Sequence, residues 1–280
     1  MERNSFFIRM NIYGIKHSKK MDRREFIIKI GSFLLGSLFG SNLFTKALAC
    51  ECTDGKELLQ PRLALIIDDI GPSVSKARLF SEFGVPMTFA VLPRFPKSED
   101  LALEFRDAGH EIMLHQPMEP RDPDIDPGPG ALYVGDSANK ILRVLEKNIS
   151  SLPFATGINN HMGSRFTAYQ KEMHETLQVV KERGLFFVDS LTSSDSKGFE
   201  TARTLHVPAA CRNVFLDNEL DVSAILRQLQ KLARCSLKYG HGIGIGHPFP
   251  ETAEAIGVFL KAFKKAGIEF VRVSELVISA

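Results

Sequence analysis

Residues 63–71 read LALIIDDIG, and this stretch is the clearest indication of the chain's architecture. An apolar run rich in Ile and Leu that stops at charged residues is typical of a buried strand in a parallel sheet. In α/β folds the carboxyl ends of such strands carry the chemistry. Asp68 and Asp69 stand side by side at that end. Because adjacent carboxylates repel each other, a fold that buries them has to neutralise them with a proton, a cation or a metal ion.

Outward from this strand, strand and helix signals alternate to the end of the chain. Alternation of this kind predicts an α/β fold with a mostly parallel sheet, either a barrel or an open doubly wound sheet. Residues 119–136 are rich in Pro, Gly and Asp and predict a long lid or binding loop. The predicted strands are residues 62–67, 86–92, 111–114, 154–158, 185–188, 204–207, 243–245 and 268–271.

Length and charge suit one large domain behind a targeting segment. The chain has 280 residues and a formal net charge of +2, and its body carries no basic stripe, which argues against a nucleic-acid partner. We expect residues 1–49 to be an N-terminal export signal and residues 50–61 a linker. Residues 62–280 are then the folded domain.

The export prediction rests on the pattern of the N-terminus. Arg23 and Arg24 precede an uncharged apolar stretch at residues 30–44, and small residues follow at positions 47 and 49. The arginine pair resembles a twin-arginine signal, while an ordinary secretion signal or an uncleaved anchor fits the same pattern. We therefore expect a periplasmic or cell-envelope protein. Membrane contact would come only through an uncleaved signal or a lipid on Cys50.

The cysteines do not have the spacing of a zinc site. A metal ion bound by this chain should therefore use histidines and carboxylates. Cys211 and Cys235 are candidates for a disulfide in an oxidising compartment, although spacing alone does not establish the pairing.

Polar side chains follow five of the predicted strands. The carboxyl ends of parallel strands share one rim, so side chains that are far apart in sequence should converge there. The set consists of Asp68 and Asp69, His115, the run Asn159-Asn160-His161, Asp189 with Ser190, and His247.

The residue types in this set indicate metal chemistry. Two histidines and one carboxylate form a common catalytic zinc set with a position left open, and here they would be His115, His161 and Asp69. Asp68 could then act as a general base. His247 lies on the same rim and could protonate a leaving group, with a structural histidine as the alternative.

Several blocks of sequence resemble the polysaccharide deacetylase superfamily. They are the IDDIG block at residues 67–71, the GHEI block with its following histidine at 109–115, and the late Gly-His-Pro at 246–248. The blocks at 115–120 (HQPMEP) and 159–164 (NNHMGS) are closest to the divergent branch of that superfamily. The resemblance covers roughly residues 60–278. It implies a distorted (β/α) barrel with about seven parallel strands and a divalent metal, usually zinc.

The resemblance also implies roles for individual residues. Asp68 corresponds to the base that takes a proton from the attacking water. Asp69 and His115 correspond to metal ligands. His247 corresponds to the general acid that protonates the leaving group.

This chain departs from the superfamily pattern in two places. The position four residues after His115, where a second metal histidine is usual, holds Glu119. Either Glu119 or His161 completes the metal set, and we favour His161 because zinc prefers nitrogen here. An Arg- and Pro-rich block that normally steadies the base is missing, and residues 159–164 replace it.

These observations predict a zinc-dependent hydrolase that removes acyl groups from a polysaccharide or oligosaccharide. An oxyanion would rest on the metal and on the backbone N–H of Met162 or Gly163, with Asn160 and Asp189 as further substrate contacts. The main alternative is a catalytically degenerate protein that binds a glycan or a partner. Weaker alternatives are a glycosidase that pairs Asp68 with Asp189 and a metal phosphoesterase.

Overall fold

The computed structural model describes residues 60–263 and 267–278. The predicted export signal and Cys50 lie outside these residues. Among the described helices, none is both long and apolar enough to cross a bilayer. Strand β1, Arg62–Ile70, lies in the middle of the sheet and residues 63–67 are fully buried. The buried parallel strand predicted from LALIIDDIG is therefore confirmed.

Strands and helices alternate along the described chain, as the sequence predicts. All the strand pairs of the sheet are parallel. The further strands are β2 Thr88–Val91, β3 Glu111–Met118, β4 Gly157–Met162, β5 Phe186–Asp189, β6 Ala209–Cys211, β7 Val214–Phe215, β8 His241–Gly246 and β9 Glu269–Phe270. The helices are α1 Val74–Ala77, α2 Ser98–Asp107, α3 Ala138–Ser150, α4 Gln170–Glu182, α5 Gly198–Thr204, α6 Val222–Tyr239 and α7 Pro250–Phe263.

The order of the strands shows that the sheet is curled. Neighbouring strands follow the order β6-β5-β4-β3-β2-β1-β8-β7, and β9 pairs with β1. Strands β6 and β7 lie at opposite ends of this order, yet only Arg212 and Asn213 separate them in the chain. The three Cα–Cα steps from Cys211 to Val214 span at most about 11 Å, so the sheet has to bend until its edges approach each other. The predicted (β/α) barrel is confirmed, with eight strands around the curl rather than about seven.

The two faces of β1 belong to different cores. Leu63, Leu65 and Ile67 pack with the helices that surround the sheet. Ala64 and Ile66 belong to a smaller cluster that contains no residue of helices α1 to α7 and therefore fills the inside of the barrel. Because side chains alternate along a strand, counting by two from these inner residues tells which polar residues face the mouth of the barrel.

One strand expected from the sequence is absent, and one pairing that the sequence left open is not formed. Residues 204–207 do not form a strand, because α5 ends at Thr204 and the chain joins the sheet only at Ala209. Val207 instead donates its N–H to Ala202 O and is buried against the helices. Cys211 and Cys235 are free thiols, so the candidate disulfide is not formed.

Candidate metal centre

Asp68 and Asp69 point to the same side of β1, although neighbours on a regular strand point to opposite sides. The pairing of β1 with β2 is interrupted between Ile67 and Ile70. Within this bulge Asp69 has a φ of 57°, in the left-handed region that Asp tolerates better than most residues. As a result His115 Nε2 lies 3.6 Å from Asp68 Oδ2 and 3.2 Å from Asp69 Oδ1.

The three predicted ligands that we favoured form a tight triangle. Asp69 Oδ1 lies 2.8 Å from His161 Nδ1 and 3.2 Å from His115 Nε2, and the two nitrogens are 3.2 Å apart. Ligands about 2.0–2.2 Å from one tetrahedral zinc ion lie roughly 3.3–3.6 Å from each other. Shifts of roughly half an ångström or less would therefore let the three atoms share one ion.

The surroundings of Asp69 also fit a cation. Its Oδ1 atom is buried and has no hydrogen-bond donor among the described residues, although both imidazoles face it. Burial by itself would raise the pKa of Asp69, but His115 and His161 hold this pKa well below its ordinary value. The lowered pKa favours the ionised form of Asp69, which is the form that a metal ligand needs. Two imidazoles and a carboxylate suit zinc among the common divalent ions.

The carboxamide of Asn159, to which the sequence interpretation gave no individual role, connects His115 with Asp68. His115 Nδ1 and Asn159 Oδ1 are 2.8 Å apart. Asn159 Nδ2 donates to Asp68 Oδ1 at 2.8 Å and to Ser190 Oγ at 3.3 Å. Asn159 and His161 are two residues apart on β4, so the period of the strand could have identified Asn159.

Asp68 is buried directly beside the triangle. Desolvation raises the pKa of Asp68 above its ordinary value, and the nearby His115 and His247 oppose that rise. Because Oδ1 accepts the hydrogen bond from Asn159, Oδ2 is the oxygen placed to receive a proton.

His247 approaches the triangle from β8. Its Nε2 lies 4.0 Å from Asp69 Oδ2, and its Nδ1 lies 2.9 Å from Asp217 Oδ1. The His247 backbone N–H and the Thr252 hydroxyl both donate to Asp217 Oδ2. Burial by itself would lower the pKa of His247, but Asp217, followed by Asp69 and Asp68, raises it to about 9. The sequence interpretation missed Asp217, although it follows β7 at the same rim.

Glu119, the alternative ligand, is directed elsewhere. Its Oε2 accepts the N–H of Val134 at 2.7 Å, and its Oε1 pairs with Arg165 at 3.0 Å. Glu119 therefore holds the returning end of the 119–136 loop. Among the described residues, the structure brings His161 rather than Glu119 to Asp69 and His115.

The predicted oxyanion contact from Gly163 is wrong. The Gly163 N–H already donates to Met118 O at 3.0 Å, so it is not free to meet an oxyanion. Met162 begins the turn after β4 with a φ of 54°. An oxyanion contact from the Met162 backbone N–H stays a prediction.

Asp189 faces away from the mouth of the barrel. It shares its strand face with Phe187, which packs on the helical side of the sheet. Its Oδ1 accepts the Leu191 N–H, and its Oδ2 accepts the Ser196 hydroxyl and the Phe199 N–H. The carboxylate therefore orders its own loop. The substrate contact and the glycosidase pairing with Asp68 both lose their support.

Asn160 also lies on the outer face of its strand. Its Oδ1 accepts the Ser190 N–H at 2.9 Å and its Nδ2 donates to Met162 O at 2.8 Å. These contacts tie the end of β4 to the following strand, so they assign a structural task to Asn160 rather than a substrate contact.

Arg212, which the sequence interpretation also missed, follows β6 beside this site. Its guanidinium donates to the carbonyls of Ser190 and Leu191 at 2.7 and 2.9 Å. Burial lowers the pKa of Arg212, and the charges of Asp68 and Asp189 oppose that shift. A cation thus lies within electrostatic reach of Asp68.

Comparison with known proteins identifies a family and relatives of similar sequence. The model of the divergent polysaccharide deacetylase family matches residues 65–277. The uncharacterized protein YibQ of Escherichia coli K12 is 30% identical over 202 residues, which cover 71% of this chain and 62% of YibQ. The chain thus spans less than two thirds of the length of that relative.

Two solved structures are similar in fold. The uncharacterized protein ATU2773 of Agrobacterium tumefaciens is 29% identical with a TM-score of 0.74, covering 81% of this chain and 92% of that one. A mutant of BA3943 from Bacillus anthracis, a CE4 family pseudoenzyme with restored enzymatic activity, is 15% identical with a TM-score of 0.52. That match covers 79% of this chain and 68% of BA3943 and shows a shared fold alone.

Proposed function

The chain belongs to the divergent polysaccharide deacetylase family, and on this basis we propose that it is a metal-dependent deacetylase of an acetylated glycan. The observation that carries the proposal is the triangle of Asp69, His115 and His161 with the buried Asp68 beside it. Such a set offers a base and three ligands, and a zinc ion held by three ligands keeps its fourth position for water, which hydrolysis of an amide or ester needs.

Zinc held by these three residues would polarise the acyl carbonyl and allow water to be deprotonated at neutral pH. Asp68 Oδ2 takes the proton from that water as its oxygen attacks the acyl carbon. His247 gives a proton to the departing nitrogen or oxygen, and the C–N or C–O bond breaks. The products are a carboxylate and a free amine or alcohol.

The contacts around these groups prepare them for those roles. His247 donates from Nδ1 to Asp217, so its Nε2 is the atom directed at the leaving group. Its pKa of about 9 keeps the ring protonated at neutral pH, as an acid requires. Asp68 is buried, so it is a stronger base than an exposed carboxylate would be.

We propose that the glycan lies across a neighbouring open cleft of about 650 Å³, lined by Arg121, Arg165, Ala168 and Tyr169. Arg121 and Arg165 follow the strands that carry His115 and His161. The half-exposed ring of Tyr169 offers a flat apolar face with a polar tip, which suits a sugar ring. The pattern at residues 1–49 supports export to the periplasm or cell envelope, where such polymers occur.

Two measurements on the purified protein test the proposal together. Metal analysis should find about one zinc per chain, and acetylated oligosaccharides should release acetate. Asp68→Asn should lower acetate release by at least ~100-fold, the usual contribution of a general base, and should still bind zinc. Acetate release by Asp68→Asn at the wild-type rate would remove Asp68 from its role as base.

The competing proposal is a glycan-binding protein without turnover. It is favoured by one observation: the group that hydrogen-bonds Asp68 is the neutral Asn159 rather than an arginine. Zinc binding and retention of glycan, with no acetate released from any N- or O-acetylated oligosaccharide tested, would support this reading instead.

A further inference from the structure

We propose that Asn159 is the positioning residue of this centre, holding the metal ligand His115 and the base Asp68 with the two ends of one carboxamide. This inference rests on the deacetylase function proposed above and extends it to a residue that touches neither metal nor substrate. It explains how the centre is ordered without the arginine block of the wider superfamily.

Because the three residues are buried, their polar atoms depend on hydrogen bonds within the protein. Asn159 is 0% exposed, His115 2% and Asp68 3%, so water does not compete for their polar atoms. An unpaired polar group at such a site costs free energy. The carboxamide has three partners, in His115, Asp68 and Ser190.

The chemistry of these partners determines which way the amide points. Asp68 as a carboxylate only accepts hydrogen bonds, so the NH₂ end of Asn159 has to face it. The carbonyl end then faces His115, whose Nδ1 must carry the proton in order to donate. That tautomer leaves the lone pair of His115 on Nε2, the atom in the metal triangle.

An arginine could not replace Asn159 in both tasks. A guanidinium has five donors and no acceptor, so it could steady Asp68 but could not accept the His115 proton. The carboxamide of Asn159 offers a donor to Asp68 and an acceptor to His115 at the same time. The adjacent Asn160 is excluded because it lies on the outer face of β4 and bonds to Ser190 N and Met162 O.

Two substitutions separate the two tasks. Asn159→Asp keeps an oxygen for His115 but loses the donor to Asp68 and places a second carboxylate against it. Asn159→Leu keeps the branched shape and the number of side-chain heavy atoms and loses both contacts. The exposed Asn139 at the start of α3 supplies the matched control, Asn139→Asp, which adds the same charge away from the barrel interior.

The first readout is Zn²⁺ affinity, measured by competition with a chelator. Asn159→Leu should weaken binding by roughly 10–100-fold, the usual effect of losing a partner of a ligating histidine. Asn159→Asp and Asn139→Asp should bind Zn²⁺ no more weakly than the wild type. Wild-type affinity in Asn159→Leu would overturn the role of Asn159 toward His115.

The second readout is acetate release by the zinc-loaded proteins. Asn159→Asp should lose at least ~100-fold in kcat, the contribution of a well-placed base, while Asn139→Asp keeps the wild-type kcat. A kcat for Asn159→Asp equal to that of the wild type would overturn the role toward Asp68.

A third readout does not depend on activity. The double substitution Asp68→Asn with Asn159→Asp exchanges donor and acceptor and restores their hydrogen bond. Its melting temperature should therefore exceed that of Asn159→Asp alone, and an equal or lower value would contradict the contact. If the wild type released no acetate, the deacetylase proposal would fail. The Zn²⁺ affinities and melting temperatures would still test whether Asn159 positions His115 and Asp68.

Discussion

Asp69 adopts a left-handed backbone conformation near the carboxyl end of β1, and this single residue places both carboxylates on the same side of the strand. With regular alternation one of the two carboxylates would face the helices. The bulge instead brings Asp68 and Asp69 to the same imidazole of His115. Sequence reasoning identified the pair but could not foresee this backbone conformation, which depends on how β1 and β2 pair.

The pH dependence of the proposed reaction should respond to Asp217. His247 acts as an acid only while protonated, and Asp217 is the main group that raises its pKa to about 9. In Asp217→Asn that support is lost while burial still lowers the pKa. The alkaline limb of kcat should therefore move to lower pH by about 1–3 units, the usual effect of a close opposite charge.

A matched control for this change is Thr252→Val. It removes one hydrogen bond to Asp217 but leaves the carboxylate charge in place. Its alkaline limb should stay much closer to that of the wild type in the same pH series. An unmoved limb in Asp217→Asn would show that His247 is not the acid.

At the scale of the element, the alternation of side chains along each strand determines which candidate site residues face the inside of the barrel. Asn159 and His161 share the inner face of β4, while Asn160 lies on the outer face. On β5, Asp189 shares the helix-facing side with Phe187. Counting by two from His161 was possible from the sequence and would have favoured Asn159 over Asn160. The face of β5 that carries Asp189 is known only from the structure.

The 119–136 loop leads to a prediction about the two rival ligands. Glu119 holds Val134 and Arg165, so Glu119→Gln should leave Zn²⁺ affinity unchanged and lower stability by about 1 kcal/mol or less. His161→Ala removes one of the three proposed metal ligands. It should weaken Zn²⁺ binding by more than the roughly 10–100-fold that loss of a neighbouring partner costs. Competition with a chelator measures the Zn²⁺ affinity of both variants. A larger loss of affinity in Glu119→Gln than in His161→Ala would make Glu119 the ligand.

For the whole molecule, the metal site joins strands that are distant in the chain. Asp69, His115 and His161 come from β1, β3 and β4, so the unfolded chain does not present them together. Zn²⁺ at about 100 times its Kd should then stabilise the native state by about 2.7 kcal/mol. For a domain of this size the melting temperature should rise by roughly 5–10 °C.

Differential scanning fluorimetry with and without Zn²⁺ measures this rise, and His161→Ala provides the control that should lose most of it. An equal shift in both proteins would place the zinc elsewhere. No shift in the wild type would argue against a metal centre altogether.

Local patterns left a barrel and an open sheet as alternatives, and the family resemblance implied the barrel. The amino-acid sequence by itself determined the α/β class with its parallel sheet, the rim that carries the polar residues and the kinds of side chain at the candidate centre. These follow from local patterns: an apolar run such as residues 63–67, its charged end, and the alternation of strands with helices. Only the tertiary structure decided that His161 rather than Glu119 joins Asp69 and His115, and that Asp217 supports His247. Those choices depend on distances of a few ångströms between strands and loops far apart in the chain, which only the curl and pairing of the sheet establish.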